Sequence, residues 1–133
     1  MRGKKTIEIR AVVNYLHILR PIRRPTERKS YYRLDVLIDK HDTKAIEEIR
    51  EATEWLLGGG DFTSLLKDGD EKGHALYQGR YYFTAKRASD LGPMRIDGFP
   101  RNRVVASLKL MPLQAFTDGV PSVTFRLDSI KFE

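Results

Sequence analysis

Two neighbouring stretches hold most of the side chains that could do chemistry. Asp68-Gly69-Asp70-Glu71-Lys72-Gly73 gathers three carboxylates in four positions, and soon afterwards Arg80-Tyr81-Tyr82-Phe83 runs on to Lys86-Arg87. Clustered carboxylates can bind calcium, or hold Mg²⁺ ions against a scissile phosphate. An EF-hand calcium loop counted from Asp68 needs an oxygen ligand at its fifth position and Glu at its twelfth. This chain has Lys72 and Gly79 there, so the spacing rejects that reading. A small metal-dependent nuclease using Asp68, Asp70 and Glu71 stays as an alternative, but no partner segment for such a site stands out and a polar turn is the simpler reading. His17, His41 and His74 lack metal-ligand spacing. Gly58-Gly59-Gly60 is not followed by the Lys-Ser/Thr of a phosphate loop and reads as a helix stop. No motif requires a cofactor.

The aromatic-basic stretch is the stronger signal. A strand places alternate side chains on opposite faces, so Tyr81 and Phe83 share the core side while Tyr82 points outward with Arg80 and Lys86. Single-stranded nucleic acid exposes flat bases and a phosphate chain, and proteins that bind it without sequence preference offer rings for stacking and Lys/Arg for phosphates. Each stacked base is worth roughly 1–3 kcal/mol. The candidates are Tyr82 with Arg80, Lys86 and Arg87, and Tyr31 with Arg33. A flexible basic loop containing Arg20, Arg23, Arg24, Arg28 and Lys29 lies beside them, and Arg95, Arg101 and Arg103 could extend the same groove.

The charge distribution agrees. Residues 1–33 carry ten Lys/Arg against two acids, residues 34–75 five against eleven, and residues 76–103 six against two. Two basic segments flanking an acidic one suit a polyanionic partner at the basic segments. There is no cysteine, which excludes disulfides, cysteine-based zinc sites and a thiol nucleophile. No apolar run approaches the roughly 20 residues of a membrane-spanning helix, so no membrane partner is expected. Glu8 and Arg10 interrupt any signal-peptide core after the basic opening. The expected location is therefore the cytoplasm, that of the host if the chain is viral.

The elements that position these residues follow from periodicity. Strands are predicted at about 6–18, 31–39, 79–87, 103–112 and 122–132. In Tyr31–Asp39 one face holds Tyr32, Leu34, Val36 and Ile38 and the other Tyr31, Arg33, Asp35 and Leu37. Residues 42–57 switch to helical spacing, with Ile46, Ile49, Ala52, Thr53 and Leu56 as the apolar stripe and Glu47, Glu48, Glu51 and Glu54 largely off it. Asp42 or Thr43 can cap this helix and Gly58 can end it. The last two strands form a hairpin about Thr117-Asp118-Gly119, with Val123, Phe125, Leu127 and Ser129 against Thr124, Arg126, Asp128 and Ile130. Five short strands and one amphipathic helix predict a mainly β chain, a small five-stranded barrel of the OB type spanning residues 1–133 as one nucleic-acid-binding domain. The helix falls after the second strand, whereas the commonest OB order places it after the third.

The segments YYRLDVLIDKHDTKAIEEI, LKDGDE and YQGRYYFTAKRAS, in that order, resemble the single-stranded DNA-binding proteins encoded by tailed phages. The matching positions are Leu37, Ile38, Lys40, Asp42, Ile46 and Ile49, then Leu66, Asp68, Gly69, Asp70 and Glu71, then Tyr77, Gly79, Tyr82 and Ser89. Tyr15, His17 and Pro21 fit the family's opening strand. The resemblance extends from about residue 6 to 133 and is firmest over 31–89. It implies an OB-fold protein without catalytic activity that coats single-stranded DNA in phage replication, recombination or repair, with replication or recombination proteins as further partners. It also implies that the DGDE turn, Tyr77 and Gly79 shape the approach to the binding strand. Such proteins often carry an acidic C-terminal tail that recruits partners; this sequence ends in LDSIKFE, so recruitment through a tail is not expected. DNA against RNA, an RNA-binding OB module, oligomeric state and binding-site size stay open at this stage.

Overall fold

A computed structural model describes residues 3–14, 21–58, 66–92, 95–98, 103–112 and 123–133. Seven strands and one α-helix follow in the order β1 (Lys5–Asn14), β2 (Tyr31–Asp39), α1 (Thr43–Leu57), β3 (Lys67–Asp68), β4 (Arg80–Ala88), β5 (Arg95–Asp97), β6 (Arg103–Pro112) and β7 (Val123–Phe132). The predicted continuation of β1 over residues 15–18, the turn at Thr117-Asp118-Gly119, and Arg20 and Arg101 lie outside the described residues.

The five long strands close into a barrel. β1 pairs antiparallel with β2 and β6, β2 with β4, and β6 with β7, while β4 meets β7 in parallel at Lys86 and Arg126. This is the five-stranded OB arrangement, and β3 and β5 are short additions beside β4 and β7. The helix does fall between the second and third barrel strands. It packs on β1 and β6, presenting Ala45, Ile49, Ala52, Thr53 and Leu56 to the core. The Asp42 carboxylate accepts the Ala45 N–H at its start, and Gly58 ends it with φ of 76°. Phe83 and Phe125 stack at 4.1 Å near the middle of the barrel.

One expected alternation is overturned. Past Leu127 the register of β7 shifts by one residue, so that Ser107 faces Ser129 while Leu108 faces Leu127. Asp128 is the extra residue of a bulge. Ile130 and Phe132 therefore return to the core, whereas strict alternation placed Ile130 outward and Ser129 inward.

The segment between β3 and β4 makes two short 3₁₀ turns, Gly69–Lys72 and Ala75–Tyr77, and folds back as a flap on the outside of the barrel. Gly69 lies where no side chain fits: a Cβ there would stand 2.5 Å from the Arg80 carbonyl oxygen and closer still to that of Tyr77. Both obstacles are backbone and cannot swing aside. Gly69→Ala is expected to lower stability by roughly 1–3 kcal/mol, read as a lower urea midpoint with an unchanged slope; an unaltered midpoint would contradict this packing.

Candidate nucleic-acid interface

Strand register lays out the outer face of β1, β2 and β4 row by row. One row crosses the barrel from Arg103 through Val12, Leu37 and Tyr82 to Lys67. The next holds Asn14, Asp35 and Thr84, and the third Arg33, Lys86 and Arg126. Tyr31 follows at the end of β2 opposite Ala88. Tyr82 thus points outward on the same face as Arg80 and Lys86, while Tyr81 and Phe83 share the inner face.

Two structures built on this face decide which side chains are accessible. The first is the flap. Its Tyr77 is buried against Val12 and Leu37, with Leu76 and Tyr82 packed beside it. The Tyr77 hydroxyl donates to Asp35 Oδ2 at 2.5 Å and accepts from Asn14 Nδ2 at 3.2 Å, and Thr84 donates to the other Asp35 oxygen at 2.7 Å. The Tyr77 ring meets Tyr82 edge to face at 5.2 Å. Tyr77 is thus a support for Tyr82 rather than a free stacking surface. The Lys40 ammonium fastens the flap, 2.8 Å from Asp68 and 2.7 Å from Asp70. The Gly79 N–H adds a 2.7 Å bond to Asp70, and the Gly79 carbonyl accepts from the Lys40 N–H at 3.0 Å. Lys40 holds both carboxylates below their usual range, first through its hydrogen bonds. It stands between Asp68 and Asp70, where a nuclease metal would have to bind.

The second is the β1–β2 loop, whose described part pairs Ile22 with Tyr31. Lys29 bridges to Asp90 at 2.8 Å and Ser30 shares a 2.7 Å hydrogen bond with Ser89, so the loop is tied to the turn after β4. Glu27 of this loop is ion-paired with Arg33 and lies 3.8 Å from Lys86. The Arg33 hydrogen bond, foremost, holds the Glu27 carboxyl below its ordinary range. Burial, followed by the charge of Arg33, lowers Lys86. A cation cluster that holds one carboxylate has the chemistry to hold a phosphate oxygen.

The candidate residues therefore separate. Arg33 is buried, its charge matched by Glu27 because the loop covers it. Arg87 belongs to the inner-face parity of β4 and turns to the barrel seam. It donates to the carbonyls of Leu91, Gly92 and Leu127 and lies 3.7 Å from Asp128. Arg80 is bound to Asp39 and to the Leu76 carbonyl, both at 2.7 Å. Arg95 is exposed on β5, 3.3 Å from Asp97, outside the β1–β2–β4 face. Arg23, Arg24 and Arg103 are exposed. Tyr31 is half-buried between Arg33 and Lys86, each 5.4 Å from its ring. Tyr82 is half-buried under Lys72 at 5.1 Å and Lys67 at 5.9 Å. Sequence reasoning missed Lys67 and Lys72, which sit in the segment whose summed charge is negative, and Asn14 and Thr84, which alternation alone would have put on this face. Among the described residues no cluster of three or more His, Cys, Asp or Glu could hold a metal ion, and no helix is long and apolar enough to cross a membrane.

A cleft of about 260 Å³ opens between flap and loop, lined by Arg24, Arg33, Asn14, Asp35, Thr84, Tyr77 and Lys72. The strand pairing, with rings and cations on the face of the second and third barrel strands, defines an OB-fold. Among solved structures the chain shares this fold with phage proteins. One is the single-stranded DNA-binding protein from bacteriophage Enc34 in complex with ssDNA (TM-score 0.64, 14% identity, 98% of this chain and 86% of that one). Its C-terminal truncation gives a TM-score of 0.68 at 15% identity, over 98% and 85% of the two chains. Another is gp2.5, a single-stranded DNA-binding protein encoded by bacteriophage T7 (TM-score 0.63, 14% identity, 98% and 86%). No family model and no curated protein sequence matches the chain.

Burial first, and the hydrogen bond to Asp35 second, push the Tyr77 phenol up to about 12. A free tyrosine ionises near 10, so the neutral phenol's stabilisation is complete below about pH 10 and is lost as pH rises through the folded value. Ultraviolet titration should find a tyrosine phase ionising about two units late. Tyr77→Phe should remove that phase; a late phase that survives in Tyr77→Phe, or a wild-type profile without one, would refute the buried contact.

Proposed function

We propose that the chain binds single-stranded DNA through the outer face of β1, β2 and β4 and serves as a non-catalytic coat for DNA strands in phage replication, recombination or repair. The observation that carries this reading is the pair of half-buried rings on one barrel face, Tyr31 with the Lys86 ammonium 5.4 Å away and Tyr82 with those of Lys72 and Lys67 at 5.1 and 5.9 Å. The shared fold with phage proteins described as binding single-stranded DNA, one of them in complex with it, supports the same partner. In this reading the rings stack with bases, and Lys67, Lys72, Lys86, Arg23, Arg24 and Arg103 neutralise phosphates. Arg33, Arg80, Arg87 and Tyr77 hold the surface in shape. Asp68 and Asp70 serve the flap, not hydrolysis. Replication or recombination proteins working on the same strand are the expected further partners.

The test is a titration of labelled single-stranded and duplex oligonucleotides over a salt series. Single strands should bind more tightly, with log affinity falling linearly with log salt. Lys72→Ala and Lys86→Ala should each flatten that slope by about 0.7. Tyr82→Ala should weaken binding by roughly 1–3 kcal/mol with little change in slope. Equal affinity for duplex, or no binding at low salt, would overturn the reading. If Tyr82→Ala moved only the urea midpoint, that ring would belong to packing alone.

A further inference from the structure

The cleft between flap and loop has a floor unlike its walls. Lys72 comes from the flap and Arg24 from the loop, whereas the floor is the strand row Asn14, Asp35 and Thr84. Phosphates fit beside the cations. They do not fit against the Asp35 carboxylate, which would repel them. The floor is therefore suited to the other half of a nucleotide, the base.

Its hydrogen-bonding character is set by one carboxylate. Each Asp35 oxygen accepts one internal bond, from Tyr77 or Thr84, and a carboxylate oxygen can accept a second. Asn14 commits one of its two amide N–H groups to the Tyr77 hydroxyl, and its remaining N–H and its carbonyl oxygen lie beside Asp35. Thr84 donates its hydroxyl proton inward to Asp35. What the floor offers outward at its centre is the acceptor pair of the Asp35 carboxylate, held in place by Tyr77 and Thr84. A base edge matches acceptors when it carries an exocyclic amino group. Thymine instead presents two carbonyl oxygens flanking one N–H, and those oxygens would face the carboxylate.

We propose that this cleft takes up one base of the bound strand and favours cytosine, adenine or guanine over thymine, with Asp35 as the specificity-determining residue. The inference rests on the single-stranded DNA reading above and adds to it a base preference at one position. The rest of the face has rings and cations, which read no sequence.

The experiment measures the affinity of the full chain for a twelve-nucleotide thymidine strand and for the same strand with one central deoxycytidine. A third strand carries 2-pyrimidinone, cytosine without its amino group, at that position. The cytidine strand should bind about fivefold or more tightly than the thymidine strand, the discrimination of one good base contact. The 2-pyrimidinone strand should fall back to the thymidine value, and the salt slope should be the same for all three. Asp35→Asn, which replaces one acceptor oxygen by a donor, should bring the ratio close to one. If that variant fails to fold, the three strands against the wild-type chain still decide. Equal affinity for all three would overturn the cleft's preference while leaving single-strand binding intact, as would a cytidine preference kept in Asp35→Asn. Failure of every strand to bind would instead overturn the single-strand reading itself.

Discussion

The Lys40 ammonium between Asp68 and Asp70 is the contact on which the outer face depends. Exposed ion pairs contribute little energy singly, and the importance of this one lies in geometry. Two carboxylates brought together by a tight turn need a cation between them. The same turn places Gly69 against two backbone carbonyls and returns a Gly79 N–H to Asp70. The 69–79 segment can then lie in one way only, with Tyr77 over Val12 and Leu37. The flap turns an ordinary barrel wall into a cleft with a polar floor.

A second theme is how the positive charge is used. Some guanidinium groups serve the fold: Arg33 is matched by Glu27, Arg87 ties three carbonyls at the seam, and Arg80 binds Asp39 and the flap. The lysines over the rings, Lys67, Lys72 and Lys86, keep more of their surface toward solvent. This division follows the chemistry of the two groups. A planar guanidinium can satisfy several carbonyls at once, whereas an ammonium on a flexible stem can rest over a ring and still reach a moving phosphate.

The sequence carried much of this. Periodicity with cap residues was enough for α1 and its buried stripe, and alternation was enough to separate Tyr82 from Tyr81 and Phe83. The order of short elements was enough for the barrel. What it did not carry is non-local. Arg33 has outward parity in β2, yet the β1–β2 loop covers it with Glu27. Arg87 has inward parity, but at the strand end that direction leads to carbonyls at the seam. Tyr77 lies in a polar, glycine-rich stretch that reads as a turn, and only folding back onto β1 and β2 gives its ring an apolar bed. Charge summed by segment concealed Lys67 and Lys72, because the same segment counts four glutamates on α1 and the two aspartates bound to Lys40.

The bulge at Asp128 has a consequence for how the chain can vary. A deletion of one residue in β7 away from the bulge would exchange core for solvent along the rest of the strand. Loss of Asp128 itself would leave a regular ladder, with Ile130 and Phe132 still inward. Asp128 is also where Arg126 and Arg87 converge, at 2.9 Å and 3.7 Å. Arg87 of β4 thus reaches across the barrel seam to the bulge, while Arg126 meets it from β7 itself. Length changes among relatives should collect in the loops and at this bulge, while the spacing from Ser129 to Phe132, which keeps Ile130 and Phe132 in the core, should persist.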